Sequence, residues 1–171
     1  ERCVSLADKE SNFNNVNQFL LKDIFAPYLN IHPMPVDLAG EYCKPGNHGD
    51  KHYETQLRYH LINGSLDFVV LGVGNDGHTA SLFPRSDSLM SPNWVEFTGL
   101  FGGYKRMTMT LKLINQSKSI AVLLLGDRKH GIVQKLVQSE RDDSDLPITL
   151  VNPEHGSLVW YVDDSALYNS E

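Results

Sequence analysis

The chain has 171 residues, of which 41% are hydrophobic, and this predicts a single domain, residues 1–171, with a core of its own. Its 15 basic and 21 acidic residues give a net charge of −6, which excludes the broad basic surface that nucleic acid requires. No apolar run approaches the roughly 20 residues that span a bilayer, so we expect no membrane insertion. A small phosphorylated ligand is compatible with this charge, because a few well-placed cations suffice to bind it.

Two helices are predicted in the first 65 residues, separated by a loop over 39–50 that is rich in Gly, Pro, Asn and His. The first spans residues 12–26, with Ser11 as N-cap and Pro27 after its end. The second begins at Asp50 as its cap and stops at Asn63-Gly64. The first helix has an apolar stripe that should face a sheet: Phe13, Val16, Leu20 and Ile24. The second has an apolar face of its own: Tyr53, Leu57 and Leu61.

Strands and a further helix follow in an α/β order. The run 68–71 has no polar alternation and predicts a strand buried on both faces, which is typical of parallel sheets. Residues 107–111 alternate Met or Leu with Thr and predict a half-buried strand, while 120–125 predict a fully apolar one. A helix over 129–138 and a last strand over 157–162 complete the pattern. The fold class is therefore α/β, with a mostly parallel sheet flanked by helices.

The segment after the first strand carries the densest signal. Gly72, Gly74 and Gly77 satisfy G-x-G-x-x-G, and Glu96 lies near the distance of a ribose-binding acid, so a dinucleotide site is one interpretation. Pro84 opposes it, because it stops any helix after about two turns where the dinucleotide fold needs a complete crossover helix.

A second interpretation is acid–base chemistry. Asp76 and His78 flank a glycine that can turn sharply, so that the imidazole and the carboxylate that orients it can converge. The glycine amides and a short helix starting at Thr79 would then hold an oxyanion or a phosphate. A histidine after glycine is as often a solvent-facing residue without a role, and the local pattern leaves both interpretations open.

The two cysteines, Cys3 and Cys43, could pair in an oxidising compartment, although two unpaired thiols are the commoner arrangement. Cys43, His48 and His52 have a spacing that invites zinc. Loops of this composition gather such residues without purpose, so we expect no metal site.

Residues 72–84, Gly-Val-Gly-Asn-Asp-Gly-His-Thr-Ala-Ser-Leu-Phe-Pro, resemble the signature loop of the 6-phosphogluconolactonases. Further matching pieces occur along the whole chain: Glu1-Arg2, Glu10-Ser11-Asn12, Arg106-Met107-Thr108, 126–129 and 157–163. The resemblance implies an enzyme that hydrolyses 6-phosphoglucono-1,5-lactone to 6-phosphogluconate in the pentose phosphate pathway, without metal or cofactor. It also implies the fold of the glucosamine-6-phosphate isomerases and 6-phosphogluconolactonases.

The resemblance also implies roles for individual residues. His78 would be the general base and Asp76 the residue that orients it. Candidates for binding the phosphate, the oxyanion or the rest of the substrate are Arg2, Gly74, Gly77, Thr79, Arg106 and Lys129. As isolated surface cations, the two arginines and the lysine would be unremarkable.

Within the family, Glu1-Arg2-Cys3-Val4 and the segment 30–36 most resemble a two-enzyme branch of the endoplasmic-reticulum lumen, in which a glucose-6-phosphate dehydrogenase domain accompanies the lactonase. The sequons Asn63-Gly64-Ser65 and Asn115-Gln116-Ser117 are those of a glycoprotein and fit this location, with the cytoplasm as the alternative. Similar proteins begin with further βα units that carry a phosphate loop. We expect these units to be missing here, and the fragment alone to be inactive.

Two other functions are weighed against lactone hydrolysis. Glucosamine-6-phosphate deaminases share the Asp-Gly-His string but resemble His-Ile-Ala-Phe-Asn-Glu-Pro after it, whereas residues 79–84 here contain no acid. A sugar-phosphate-binding domain without catalysis is the other alternative; it would bind 6-phosphogluconate without turnover.

Overall fold

A computed structural model describes residues 1–36, 43–44, 46–139 and 143–168. Three strands form a parallel sheet in the order β1-β4-β5: Val69–Gly72, Ser119–Leu124 and Ser157–Val162. In register, Val69 lies beside Ile120, and Ser119 beside Ser157. The predicted parallel sheet flanked by helices is confirmed, and so is the strand over 157–162. The strand predicted over 120–125 lies one residue earlier, at 119–124.

Within the described residues, five α-helices accompany the sheet: α1 Asn12–Val16, α2 Gly49–His60, α3 Leu111–Asn115, α4 His130–Gln138 and α5 Asp164–Leu167. Shorter helical turns lie at Asn17–Leu21, Tyr28–Asn30, Ile62–Gly64, Asp87–Met90, Asp127–Lys129 and Pro147–Leu150. The predicted helix over 129–138 is confirmed. No helix among the described residues is both long and apolar enough to cross a bilayer.

A separate antiparallel hairpin pairs β2 (Val95–Phe97) with β3 (Met107–Met109). The strand predicted over 107–111 is shorter than expected, because Leu111 already begins α3. The first residues of the chain extend this hairpin, since Arg2 and Arg106 form an antiparallel bridge and Cys3 N–H donates to the Lys105 carbonyl at 2.9 Å.

Two apolar clusters stabilise these layers. The first surrounds the parallel sheet and includes Leu71, Val122 and Ile132. The second lies beneath the hairpin and includes Trp94 and Met107. The first cluster supports the signature loop, since Val73 and Leu82 belong to it, and the second supports the hairpin on which Arg106 lies.

Several local predictions are wrong. Strand β1 is not buried on both faces, because its side chains alternate and Val70 is 55% exposed. The predicted 12–26 helix divides into α1, a π-helical turn and a loose turn. Its predicted stripe faces outward, with Val16 47%, Leu20 51% and Ile24 58% exposed. The N-cap of helix α2 is His48, in a left-handed conformation, and not Asp50, which lies in the first turn. Part of the predicted 39–50 loop lies outside the described residues.

The sulfurs of Cys3 and Cys43 are bonded, so the commoner arrangement of two free thiols does not hold. This bond removes Cys43 from the candidate zinc cluster, because a disulfide sulfur is not the thiolate that zinc binds. It also fixes residue 43 to the chain segment that extends the hairpin.

Candidate active site

The signature loop, residues 72–84, leaves β1 and closes on itself. Val73 and Thr79 form an antiparallel bridge, Gly74 N–H donates to the His78 carbonyl at 2.8 Å, and Gly77 N–H donates to the Gly74 carbonyl at 3.0 Å. This closed turn places residues 76 and 78 on the same side of the loop. The short helix predicted from Thr79 is absent, because Thr79 also bridges to Leu82.

Two glycines of this loop are required by space and conformation. A side chain at Gly74 would overlap both the imidazole of His78 and the carboxylate of Asp76. Gly77 has φ +81°, and a Cβ there would lie 2.9 Å from the Leu146 backbone. The first glycine makes room for the two functional side chains, and the second lets another segment pack against the loop.

His78 and Asp76 form a dyad. The imidazole Nδ1 lies 2.5 Å from Asp76 Oδ1, and the His78 backbone N–H donates to the same oxygen at 3.2 Å. Burial raises the pKa of Asp76, but hydrogen bonds from the ring and the backbone of His78 outweigh it and leave this pKa below its usual value. An ionised carboxylate only accepts, so the proton on Nδ1 points to Asp76, and in the neutral ring this tautomer has its lone pair on Nε2. The His78 side chain is 29% exposed.

Aromatic rings connect this dyad to a pair of arginines. The Phe83 ring lies 4.5 Å from the imidazole of His78, and Phe101 stacks on Phe83 at 4.0 Å and 9°. The guanidinium of Arg106 lies 5.2 Å from the Phe83 ring centre. Phe83 thus lies between His78 and Arg106 and contacts both.

Arg2 and Arg106, the arginine pair, are neighbours on paired strands. Burial and the charge of Arg2 lower the pKa of Arg106. Each arginine has a buried Nε with no hydrogen-bond partner among the described residues, and within the same ranges no acid forms an ion pair with Arg106. Arg2 donates to the Glu10 carbonyl at 2.6 Å and lies over Tyr104. The charge of Glu1 offsets part of the lowering of the Arg106 pKa, but no described acid forms an ion pair with Arg106, and its positive charge favours a bound anion.

Lys129 lies beside the signature loop, because β4 ends next to β1. Its Nζ donates to the Val73 carbonyl at 2.6 Å. The turn that leads to it starts at Gly126, with φ +92°, whose N–H donates to both carboxylate oxygens of Asp163 at 3.0 Å. Those hydrogen bonds lower the pKa of Asp163. Lys129 thus contacts the signature loop from a turn that is fixed by Asp163, the residue after β5.

The groups of Gly74, Gly77 and Thr79 that sequence reasoning assigned to substrate already have partners. The two glycine N–H groups close the loop, and the buried Thr79 hydroxyl donates to the Gly72 carbonyl at 2.9 Å. Their contact with substrate stays a prediction. Their hydrogen bonds within the loop show that they shape it.

Other site residues escaped sequence reasoning because their neighbours are distant in the chain. Phe101 is 18 positions from the ring on which it stacks. Residues 143–148, which we name the strap, are bound to the signature loop by a hydrogen bond from Ile148 N–H to the Gly77 carbonyl at 3.0 Å. A second, from Arg85 N–H to the Ser144 carbonyl at 3.2 Å, joins the strap to the residue that follows the loop. A pair of glycines between Phe101 and Tyr104, a hairpin-turn signal, was the one local hint.

The dinucleotide interpretation fails on this geometry. The nearest helical residues after the loop are the single turn Asp87–Met90, not a crossover helix. Glu96 lies on β2, where its carboxylate accepts from Ser91 Oγ at 2.8 Å and from Asn93 Nδ2 at 2.9 Å.

Residues 1–160 match the family model described as glucosamine-6-phosphate isomerases/6-phosphogluconolactonase. The chain belongs to this family. It is 42% identical to the GDH/6PGL endoplasmic bifunctional protein of Oryctolagus cuniculus over 97% of its own length, and it spans 21% of that protein. It is 32% identical to a 6-phosphogluconolactonase of Synechocystis, covering 97% of the chain and 69% of that enzyme.

The fold agrees with solved family structures. The crystal structure of 6-phosphogluconolactonase from Thermotoga maritima superposes with a TM-score of 0.78 at 28% identity, covering 95% of this chain and 69% of that one. Family membership thus accounts for the sheet and for the signature loop at the end of β1.

Proposed function

We propose that this chain forms the larger part of a 6-phosphogluconolactonase site, in which His78 is the general base. The observation that carries the proposal is the His78–Asp76 dyad, which Phe83 links to Arg106, a cation without an ion pair among the described residues. A neutral imidazole and a free cation are what ester hydrolysis of an anionic substrate requires.

The reaction proceeds in two steps. His78 Nε2 takes a proton from a water molecule, and the water oxygen attacks the lactone carbonyl carbon while the carbonyl electron pair moves onto its oxygen. When this tetrahedral oxyanion collapses, the bond to the ring oxygen breaks and the imidazolium returns its proton to that leaving oxygen. Asp76 holds the ring tautomer and stabilises the imidazolium between the two steps.

The phosphate and the oxyanion require positive charge. Arg106 is the first candidate, because no described acid pairs with it and its guanidinium lies near the aromatic contact to the base. Arg2 lies beside it, although Glu10 shares its charge at 3.5 Å. Lys129 lies beside the signature loop, with its Nζ on the Val73 carbonyl, and is a further candidate for stabilising negative charge.

Substrate preference and turnover test this proposal. The complete natural protein should hydrolyse 6-phosphogluconolactone far more efficiently than gluconolactone, because phosphate binding energy positions the carbonyl. Equal efficiency on the two lactones would contradict a phosphate site. Binding of 6-phosphogluconate without turnover would favour the non-catalytic alternative. Ammonia release from glucosamine 6-phosphate would favour the deaminase, although residues 79–84 lack the acid that this activity implies.

We also propose that the chain is part of a two-enzyme protein of the endoplasmic-reticulum lumen, with a glucose-6-phosphate dehydrogenase domain in the same polypeptide. The 42% identity to the endoplasmic bifunctional protein supports this. The Cys3–Cys43 disulfide supports it independently, because disulfides persist in oxidising compartments.

Glycosylation tests the compartment. Asn63 is exposed in a left-handed turn, whereas the Asn115 amide donates to the Leu150 carbonyl at 3.0 Å and accepts from Asn152 N–H at 2.9 Å. We therefore expect glycan on Asn63 in preference to Asn115. A mobility shift on glycosidase treatment that is lost in Asn63→Gln but kept in Asn115→Gln would bear this out, and an unglycosylated native protein would contradict it.

A further inference from the structure

The tip of the β2–β3 hairpin is a closed turn next to the candidate site. Phe101 and Tyr104 exchange two backbone hydrogen bonds, at 3.0 and 3.2 Å, across Gly102 and Gly103. Both glycines have positive φ, +59° and +81°, which is the two-residue turn that matches the twist of paired strands. The tip therefore has a defined shape despite its glycines.

Both aromatic residues of the tip contact the candidate site. The Phe101 ring stacks on Phe83, whose own ring contacts His78. The Phe101 carbonyl accepts from Arg106 at 3.5 Å, and Tyr104 lies 5.3 Å beneath the guanidinium of Arg2. Phe101 thus contacts Phe83 through its ring and Arg106 through its backbone carbonyl.

On the premise of the proposed lactonase activity, we infer that Phe101 is a positioning residue, which holds Phe83 against His78 and fixes the spacing between the base and Arg106. Among the described residues, Asp76 is the hydrogen-bond partner that holds the imidazole ring, through Nδ1. A single hydrogen bond at one ring atom still allows the ring to tilt. The Phe83 ring, whose centre lies 4.5 Å from the imidazole at an angle of 30°, packs on its face and limits that tilt. Phe83 can provide this support only while its own ring is held in place.

Three variants of the complete natural protein test the inference. Phe101→Leu keeps apolar bulk but removes the stack, and kcat should fall about tenfold or more while KM for 6-phosphogluconolactone rises, as expected when reacting groups lose alignment. Phe101→Tyr restores the ring and should restore both constants. Leu100→Ala is the matched control, because Leu100 is the preceding residue and is 76% exposed.

A second measurement does not depend on turnover. The imidazole carbon-bound proton signals of His78, assigned by their loss in His78→Gln, should shift in Phe101→Leu and return in Phe101→Tyr. Native kinetics in Phe101→Leu, or an equal loss in Leu100→Ala, would overturn the inference. If the wild type shows no lactonase activity while the histidine signals respond as expected, the proposed function fails and the positioning role stands. Unchanged signals would overturn the positioning role.

Discussion

The dyad and the arginine pair are built in different ways. Asp76 and His78 are two residues apart, and the hydrogen bonds that hold them come from a single turn of the chain. Arg2 and Arg106 are joined by strand pairing across more than a hundred residues, and their side chains rest on aromatic rings and carbonyl groups. The dyad is a local structure, whereas the arginine pair exists only when the fold is complete.

This difference separates their expected failures. Damage to the dyad should abolish chemistry and leave the fold intact, because its contacts are few and partly exposed. Damage to the arginine pair or its anchors should change substrate binding and stability together, since the same strands supply both.

The largest effect is expected at the dyad. His78→Ala should lower kcat by roughly two to four orders of magnitude, the usual contribution of a general base. The midpoint of thermal unfolding and the Kd for 6-phosphogluconate should change little, because the arginines are untouched. Circular dichroism and titration calorimetry on the same preparations separate these quantities. Near-native turnover would contradict the assignment of the base.

Loss of the Cys3–Cys43 disulfide should affect the arginine pair and the stability of the fold. Replacing Cys3 and Cys43 together by serine opens a loop with a sequence separation of 40, which corresponds to about 4 kcal/mol of unfolding free energy in the chain-entropy model. Denaturant titration measures this loss. At temperatures where the double variant is folded, kcat should be close to native while KM rises, because Cys3 follows Arg2 directly. A fall in kcat without a rise in KM would mean that the dyad depends on the segment that carries Arg2, contrary to this comparison.

A smaller and more selective effect is expected at Arg106. Arg106→Ala should lower kcat/KM for the phosphorylated lactone by about tenfold to a hundredfold, as for the loss of a hydrogen bond to a charged group, about 1.5–3 kcal/mol. Efficiency on gluconolactone should fall much less. Arg106→Lys should recover part of the loss, because it keeps the charge and loses the planar fork. Arg128, an exposed arginine beside Lys129, is the matched control, and an equal loss in Arg128→Ala would show a non-specific charge effect.

The same contrast explains what the sequence could predict. The dyad, the glycine turn and the strands over 119–124 and 157–162 follow from local patterns, and the structure forms them. The burial of β1 on both faces was predicted from its composition, yet Val70 is exposed, because apolar periodicity does not identify the element that covers a face. The stripe on the first helix was misjudged for the same reason.

The arginine pair shows a different limit. Arg2 and Arg106 were selected by resemblance to a family, since nothing in their local sequence distinguishes them from surface cations. Their mutual contact, the role of Phe101 and the strap all depend on pairings between distant segments. Such pairings are decided by the packing of the whole fold, and one sequence without relatives does not reveal them.

The smallest effect is expected at the ion pair between Arg85 and the strap. Asp145 accepts from Arg85 Nε and a terminal nitrogen at 2.5 and 2.7 Å, but the two side chains are 77% and 49% exposed, so water and salt screen the attraction. Hydrogen bonding from Arg85 lowers the pKa of Asp145. Its contribution to stability is therefore present above the ordinary value of 3.8 and is lost as the pH falls through the lower value of the folded state.

At neutral pH, Asp145→Asn should leave kcat unchanged and barely shift the unfolding midpoint, because the strap is also held by backbone hydrogen bonds and by Leu146 against Gly77. Leu146→Ala is the matched comparison, since it removes the packing and keeps the ion pair; it should lower the midpoint and loosen the turn that carries His78. Thermal unfolding and kcat measured on both variants at pH 7, in low and high salt, decide between the two supports. If Asp145→Asn lowered the midpoint and kcat more than Leu146→Ala, the dyad would depend on a surface charge outside its own turn.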